Sequence, residues 1–277
     1  MQFRTVLLCV LSLCAIRVMA ADAMPEPDES QVHEWQVIRS LMFGDRAINP
    51  DDQQIVRVYL NTRADDASTV PVMINGLIDQ TESEYIKTLY LIVDRNPAPT
   101  AGIFHFTPES GRVKLETRLR FEQYSFVRAI AELNDGRLYM SQRWVKAAGG
   151  CSAPMGKNGI PAKLLGKMRF RMDDQVEPDQ PALVQIQVRH PNESAMATDL
   201  AADHVPQFIR SVQVDYNNKP VMTGEVNYSL SDNPVFRFYF VPKSEGELSV
   251  RMEDTHDIVF EQSLPVSAKK PVDETAQ

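Results

Sequence analysis

One stretch in the middle of the chain carries a group capable of covalent chemistry. Gly149 and Gly150 precede Cys151, whose thiolate is a nucleophile that forms and exchanges bonds to sulfur. The two glycines lack a Cβ, so the backbone before the thiol can adopt conformations closed to other residues and enter a narrow channel. Residues 147–161 are rich in Gly and Pro and almost free of large apolar side chains, which predicts an exposed, mobile segment that presents the thiol.

The start of the chain bears on how many cysteines the working protein has. An apolar run over residues 6–16 follows a charged start and leads to small residues ending at Ala20. This pattern predicts a secretory signal peptide over residues 1–20, cleaved near Ala20. Both other cysteines lie within it, so Cys151 remains as an odd cysteine. Such a residue is a reactive thiol or an intermolecular partner, and a chance surface cysteine in a linker stays open beside these.

The charge pattern narrows the class of partner. The formal net charge is −8 at pH 7, and the Lys and Arg residues are scattered singly along the chain, whereas nucleic-acid binding needs a basic stripe. After the signal peptide no apolar run reaches the length of about eighteen residues that a membrane span needs. We therefore expect neither nucleic acid nor a membrane as a partner of the processed protein.

The sequence lacks the motifs of the common enzyme classes. It contains no G-x-S-x-G, no Gly-rich phosphate loop and no dinucleotide-binding fingerprint. Acidic pairs such as Glu253-Asp254 lie beside predicted turns, where they are ordinary. We predict no catalytic residue, no metal, no cofactor and no enzymatic activity of the chain alone. The histidines also lack the spacing of metal ligands: His33, His105, His190, His204 and His256.

Apolar residues recur at helical spacing just after the predicted leader. Val32, Trp35 and the apolar residues that follow them define the pattern, and Gly44 ends it. We predict one short amphipathic helix, capped by Asp28 or Ser30, whose apolar face packs on the sheet that follows.

The rest of the first half has the pattern of β-strands separated by turn residues. The predicted strands are 55–60, 70–74, 85–93, 103–106, 113–121, 126–133 and 138–145. Residues 134–136, Asn-Asp-Gly, predict a hairpin between the last two. Arg118, Arg120 and Arg128 are a candidate basic site, but we favour a solvated strand face for all three.

The second half repeats the strand pattern and completes an all-β protein. The predicted strands are 183–188, 209–216, 221–226, 235–240, 248–252 and 258–264, with hairpin turns at 217–218 and 244–246. The predicted fold is two immunoglobulin-like β-sandwich domains with one short N-terminal helix. The domains span 28–146 and 164–267, with a carrier segment over 147–163 between them and a flexible tail over 268–277.

Several short motifs, taken in order, resemble two known families. In the first half they are Val70-Pro71-Val72, Asn96-Pro97-Ala98-Pro99, Arg118-Leu119-Arg120, Asn134-Asp135-Gly136, and Val145-Lys146 leading to Gly149-Gly150-Cys151. In the second half they are His190-Pro191, Val205-Pro206-Gln207-Phe208-Ile209, Asn217-Asn218-Lys219-Pro220-Val221, Ser231-Asp232-Asn233-Pro234, and Gly246-Glu247-Leu248 leading to Asp254. The first half resembles SoxY, the sulfur-carrying subunit of the SoxYZ complex of bacterial thiosulfate oxidation, and the second half resembles its partner subunit SoxZ.

The resemblance implies a periplasmic carrier with no turnover of its own. Cys151 would hold a sulfur-containing or other thiol-reactive intermediate covalently, on an arm that includes Gly149 and Gly150. Fused carriers of this type occur with quinoprotein dehydrogenases, so the implied partners are periplasmic redox enzymes: a quinoprotein dehydrogenase, a c-type cytochrome or sulfur-oxidising enzymes. Lys146 and Lys157 are the nearest candidates for activating the thiol, although solvated linker lysines are the interpretation we favour.

The chain departs from the family at the carrier arm. The family's arm is a free C-terminus ending Gly-Gly-Cys-Gly-Gly, whereas Ser152-Ala153-Pro154 and a whole second domain follow Cys151 here. The arm is therefore tethered at both ends and would enter a partner's cleft only as a hairpin.

Two alternatives to a covalent carrier remain open at this point. One is a non-covalent binding module for a periplasmic dehydrogenase or c-type cytochrome, in which Cys151 is incidental. The other is a thiol redox switch that dimerises through Cys151.

Overall fold

The computed structural model describes residues 28–50, 54–155 and 160–268. These residues form helix α1 (Glu29–Phe43) and fifteen strands, with 3-10 turns at Pro108–Ser110 and Ala162–Leu164. The strands of the first half are β1 (Ile48–Pro50), β2 (Val56–Tyr59), β3 (Val70–Asp79), β4 (Ile86–Val93), β5 (Thr100–Phe106), β6 (Arg112–Leu119), β7 (Ser125–Leu133) and β8 (Leu138–Val145). Those of the second half are β9 (Met168–Arg171), β10 (Ala182–Val188), β11 (Ile209–Tyr216), β12 (Lys219–Val226), β13 (Val235–Phe240), β14 (Gly246–Asp254) and β15 (Val259–Val266). The predicted all-β class with one N-terminal helix is confirmed.

The strands form two sheets, and both sheets run through both halves of the chain. The nine-stranded sheet has the order β1-β8-β7-β4-β5-β12-β11-β14-β15, and the six-stranded sheet has the order β2-β3-β6-β13-β10-β9. In the larger sheet β5 pairs antiparallel with β12, from Gly102 opposite Val226 to Phe106 opposite Met222. In the smaller sheet β6 meets β13 at Glu116 and Arg237. Backbone pairing therefore joins the two halves at both junctions.

The inward-facing side chains of the two sheets form one core that crosses the junction. In β6, Val113 and Leu115 are buried while Lys114 between them is partly exposed, which confirms the predicted period-two strand. The rings of Phe104 in β5 and Phe236 in β13 lie 6.4 Å apart in a T-shaped contact between the halves. Such a pair contributes about 0.5–1.5 kcal/mol beyond the burial of its area.

Helix α1 covers the outer face of the nine-stranded sheet, as predicted. Its N-cap is Asp28, whose Oδ1 accepts the Gln31 N–H at 2.9 Å. Phe43 and Trp35 pack against the sheet, and the Arg128 guanidinium lies 4.1 Å from the centroid of the Trp35 ring. The same guanidinium pairs with Asp94 at 2.7 Å. The predicted solvated position of Arg128 is therefore wrong, because the helix covers the face from which its side chain projects.

The hairpin predictions had mixed outcomes. Strands β7 and β8 pair antiparallel around residues 134–136, and β11 and β12 pair around residues 217–218, which confirms both turns. The predicted hairpin at 244–246 is wrong, because it links β13 in the six-stranded sheet to β14 in the nine-stranded sheet. A local turn signal marks a reversal of the chain but not the sheet that the next strand joins. Strands β1 and β9 were not predicted, since each is only three or four residues long.

Some predictions fall on parts of the chain that the structure does not describe. The signal peptide, Lys157 and residues 269–277 of the predicted tail lie outside the described residues. Within the described ranges, no helix has the length and apolar character needed to cross a membrane.

Candidate functional site

Cys151 lies buried between the two halves of the chain. Its relative exposure is 0%, so the expectation of an exposed thiol on a mobile segment is wrong. After β8 the chain turns back along the connection between β6 and β7. There the Gly149 N–H donates to the Glu122 carbonyl at 3.0 Å, and the Gly150 N–H donates to the Phe121 carbonyl at 2.7 Å. These backbone bonds hold the thiol-bearing segment, residues 147–155, which we call the docked arm.

The two glycines are required by the docked arm, each for a different reason. Gly149 has φ = +79°, a left-handed conformation that costs a residue with a Cβ about 1–2 kcal/mol. A Cβ on Gly150 would lie 1.9 Å from the carbonyl oxygen of Ala67. That contact is with backbone, so a side chain at position 150 cannot be accommodated while the arm is docked. The sequence analysis singled out both glycines but attributed them to mobility.

The carboxylate of Glu122 fixes the position of Cys151. Oε2 accepts the N–H groups of Cys151 at 3.1 Å and of Ser152 at 3.0 Å. Oε1 accepts the Ser152 hydroxyl at 3.0 Å. Hydrogen bonds to a charged acceptor are roughly twice as strong as neutral ones, so Glu122 is the main side-chain contact holding the arm. Nothing in the sequence pattern singled it out, because a lone Glu after a strand is common.

The docked thiol is protonated at neutral pH. Burial, and after it the nearby charge of Glu122, raise its pKa to about 12, although the charge of Arg120 acts in the opposite direction. A thiol is a weak nucleophile compared with its thiolate. The docked arm therefore stores the thiol in an unreactive state.

Arg120 is the cation beside the thiol, and it is held by the second half of the chain. It is 3% exposed, so the predicted solvated position is wrong for Arg120 as well as for Arg128. Its Nη1 donates to the carbonyls of Asn192 at 2.8 Å and Tyr228 at 2.9 Å and to that of Leu230. Burial lowers the pKa of the guanidinium, and the charges of Asp232 and Cys151 oppose that shift.

Lys146 was one of the two lysines considered for thiol activation, and it does not have this role. Lys146 is exposed, and its backbone N–H donates to the carbonyl of Thr62 at 2.7 Å. The third candidate of the basic site, Arg118, lies two residues before Arg120 and lines a separate groove of about 790 Å³ on the six-stranded sheet. Of the three arginines, only Arg120 lies at the thiol.

Several motifs that carried the family resemblance meet around the docked arm. Asn96 Nδ2 donates to the carbonyl of Arg120 at 2.7 Å, and Asn96 Oδ1 accepts the Glu122 N–H at 3.0 Å. The Arg120 N–H donates to the carbonyl of Ser229 at 2.7 Å. Residues far apart in the sequence thus fix the short segment 120–122 that binds the arm.

A buried histidine supports the loop that contacts Arg120. His190 Nδ1 accepts the Asn192 N–H at 3.0 Å, which assigns the proton to Nε2, 3.3 Å from Oδ2 of Asp254. Burial lowers the pKa of His190, although Asp254 favours its charged form. The His190–Asp254 pair therefore orients the loop, and Asn192 Nδ2 extends this network to the Leu230 carbonyl at 2.8 Å.

Metal binding was not expected, and no group of three or more metal-ligating side chains occurs among the residues that the structure describes. Fold and site together define the class of protein: an all-β protein of two fused halves, in which a Gly-Gly-Cys arm docks on residues 121–122 of the first half, beside the arginine that the second half holds.

Comparisons with known proteins identify the two halves. Residues 39–151 match the family model of the sulfur oxidation protein SoxY, and residues 168–265 match that of the sulphur oxidation protein SoxZ. The two matches follow each other along the chain and together cover more than half of it. The chain belongs to the SoxYZ sulfur carriers and is a SoxY–SoxZ fusion, which confirms the resemblance seen in the sequence.

Solved structures show likenesses at low sequence identity. The sulfur carrier protein SoxY from Chlorobium limicola f thiosulfatophilum is 18% identical, with 42% of this chain and 94% of that chain covered and a TM-score of 0.34. A superoxide reductase (neelaredoxin) E23A from Ignicoccus hospitalis is 21% identical, with 39% and 83% covered and a TM-score of 0.30. Fibronectin(III)-like modules of Clostridium thermocellum CbhA are 12% identical, with 78% and 94% covered and a TM-score of 0.23. No match was found among the curated proteins.

Proposed function

We propose that this protein is a periplasmic carrier that holds a sulfur-containing intermediate on Cys151 and presents it to partner enzymes. The observation that carries the proposal is the dock for Cys151. The Gly-Gly-Cys sequence ends the SoxY match, and both glycines and Glu122 are fitted to one docked arrangement of the arm. A chance surface cysteine in a linker needs no such fit.

The carrier alternates between a docked and an open arm. The docked thiol is buried and protonated, so bond formation requires the arm to leave Glu122 and expose a thiolate. Loading joins the thiol sulfur to a sulfur atom of the cargo, and two electrons and one proton leave in this step. The proposal assigns no electron acceptor to the chain itself, so a redox partner enzyme accepts the two electrons.

The proposed partners and location follow from this chemistry and from the sequence. Periplasmic redox enzymes are the partner class: a quinoprotein dehydrogenase, a c-type cytochrome or sulfur-oxidising enzymes. The sulfur-oxidation family supports such partners in general, and the predicted signal peptide supports export. The association with a quinoprotein dehydrogenase rests on the resemblance to fused carriers.

A non-covalent adaptor is the second candidate, and one observation favours it. The thiol is fully buried with a raised pKa, as expected for a cysteine that only packs. In the adaptor the two halves bind a periplasmic dehydrogenase or cytochrome through their surface, and Cys151 fills space at the junction. The thiol-linked dimer receives no such support, because a buried thiol is not available to a second chain.

Complementation separates the two candidates. In a host that lacks this protein, Cys151→Ser is expected to abolish growth on the reduced sulfur source while thermal stability and partner capture stay close to wild type. Cys151→Ala is a second variant. It also lacks the thiol but places no hydroxyl in the buried site, so it separates loss of the thiol from a packing defect. Full growth with both variants contradicts the carrier and supports the adaptor.

A further inference from the structure

The guanidinium of Arg120 divides its hydrogen bonds unevenly between its two terminal nitrogens. Nη1 donates to three carbonyl oxygens of the second half, those of Asn192, Tyr228 and Leu230. This arrangement fixes the plane of the guanidinium, because three acceptors converge on one nitrogen. The orientation of Arg120 is thus set by the second half, although the residue belongs to the first.

Nη2 is left with a much weaker contact. Among the described residues, the hydrogen-bond partner of Nη2 is Sδ of Met155, at 4.0 Å, and a thioether sulfur is a weak acceptor. A guanidinium nitrogen presents two donors, and Arg120 is almost completely buried. The nitrogen therefore has donor capacity that buried polar groups normally use.

The arm holds Cys151 within reach of the Arg120 charge. The Gly150 N–H donates to the carbonyl of Phe121, the residue after Arg120, and Sδ of Met155 contacts Nη2. The arm is thus held on both sides of Cys151, next to Arg120 in the sequence and at Arg120 itself. The Arg120 charge acts on the thiol in this position, and it acts in the same way on a group attached to Sγ.

Glu122 provides the opposing charge at the site, but its hydrogen-bonding capacity is already used. Its two oxygens accept three donors from the arm itself, the N–H groups of Cys151 and Ser152 and the Ser152 hydroxyl. The charge of Glu122 disfavours an anion at Sγ. Arg120 is the cation whose charge acts on the thiol, so an anionic end group is stabilised by extending away from Glu122 towards Arg120.

We propose that Arg120 is the residue that selects the charge of the group carried on the docked arm, and that the second half of the chain gives it this role. Nη2 binds the anionic end of an adduct on Cys151, while a cationic end group is excluded and prevents docking. The inference rests on the proposed carrier function and extends it, because it assigns charge selection to one residue oriented across the junction.

Matched disulfide adducts test the proposal without the natural cargo. Three methanethiosulfonate reagents attach ethylsulfonate, ethyl or ethyltrimethylammonium groups to Cys151 in the full chain with Cys9→Ser and Cys14→Ser, so that Cys151 is its one thiol. In each reaction the Cys151 thiolate attacks the sulfenyl sulfur, a disulfide forms and methanesulfinate leaves. Release of each group by 2-mercaptoethanol is then timed, and each rate is divided by that of the same adduct on the urea-unfolded chain.

We expect the protection of each adduct from release by 2-mercaptoethanol to depend on the charge of the attached group. In the wild type the sulfonate adduct is released about tenfold more slowly than the cationic adduct, since a charge-assisted hydrogen bond forms only with the anion. Arg120→Met brings the ratio close to one. Arg120→Lys keeps part of it, because lysine retains the positive charge but lacks the planar, forked donors of the guanidinium. Arg118→Met, two residues earlier in β6, is the matched control and retains the wild-type ratio.

Two results overturn the proposal. One is equal protection of the three adducts in the wild type, which needs no variant and so is independent of any folding defect. The other is a ratio in Arg120→Met that differs from the wild-type ratio no more than the ratio in Arg118→Met does. Neither result depends on whether a natural cargo exists, so a failure here is distinct from a failure in the complementation experiment.

Discussion

The residue that defines this protein, Cys151, is kept unreactive by its immediate neighbours. Burial and the charge of Glu122 raise the pKa of the thiol to about 12, whereas the pKa of a free cysteine is about 8.5. The open arm therefore loses its proton at a lower pH than the docked arm. Because a group with a raised pKa favours the docked state only while it stays protonated, docking weakens as the pH rises from about 8.5 towards 12.

Replacement of Glu122 tests this account at the residue scale. In Glu122→Gln the three arm donors lose their charged acceptor, which weakens the docked state by roughly 1–3 kcal/mol. We expect alkylation of Cys151 by iodoacetamide at neutral pH to become about five- to 150-fold faster than in the wild type, which is the same free-energy range expressed as a rate. In the wild type the rate continues to rise above the pH at which a free thiol is fully ionised.

Glu84→Gln is the matched control, because Glu84 is an exposed carboxylate that pairs with Arg137 at 2.8 Å. Its alkylation rate is expected to equal that of the wild type. A wild-type rate profile that levels off just above pH 8.5, with no response to Glu122→Gln, contradicts a docked and protonated thiol.

At the scale of elements, the arm is held like a short strand at the end of β6. Its backbone bonds to residues 121 and 122 require the chain to pass beside the carbonyl of Ala67. Position 150 is therefore closed to side chains, whereas position 149 has open space and only an unfavourable φ. The two neighbouring glycines therefore provide a matched pair of positions for substitution by alanine.

Gly150→Ala is expected to prevent docking, because its Cβ would meet the Ala67 backbone at 1.9 Å. Gly149→Ala costs only about 1–2 kcal/mol in the docked state. We therefore expect alkylation of Cys151 to reach the rate of an exposed thiol in Gly150→Ala and to rise less in Gly149→Ala, with both proteins folded by circular dichroism. An alkylation rate in Gly150→Ala equal to that of the wild type is inconsistent with the docked arm.

The strands and the arm show how much of the structure can be predicted from the sequence. Period-two patterns and turn residues are local, so strands such as β8 and β11 were predicted with the bounds that the structure has. The family was also predicted from motifs in the sequence. The burial of Cys151 was not, because Gly and Pro indicate an irregular backbone without saying what packs against it. Arg120 and Glu122 owe their roles to contacts across long sequence separations, which no local pattern contains.

At the scale of the whole molecule, the two fused halves form one folding unit. Strand β5 pairs with β12 in the larger sheet, β6 meets β13 in the smaller one, and one core spans both. The covalent connection through residues 152–167 is therefore not what keeps the halves together.

A cleavable linker tests this arrangement. A protease site introduced at residues 156–159 allows the chain to be cut between the halves after folding. We expect the two fragments to co-elute as one species and to unfold in urea in a single transition, because separation exposes the shared sheet edges and core. Intact chain carried through the same protease treatment is the control, and fragments that elute separately at micromolar concentration contradict a shared fold.

The central claim is that Cys151 carries cargo, and the mass of the native protein tests it most directly. The protein is purified from its own host during growth on a reduced sulfur source, and its intact mass is measured before and after reductant. We predict an added mass that maps to Cys151, is removed by reductant and is absent from Cys151→Ser. An unmodified monomeric thiol under the same conditions would contradict the carrier and leave the adaptor as the function of the chain.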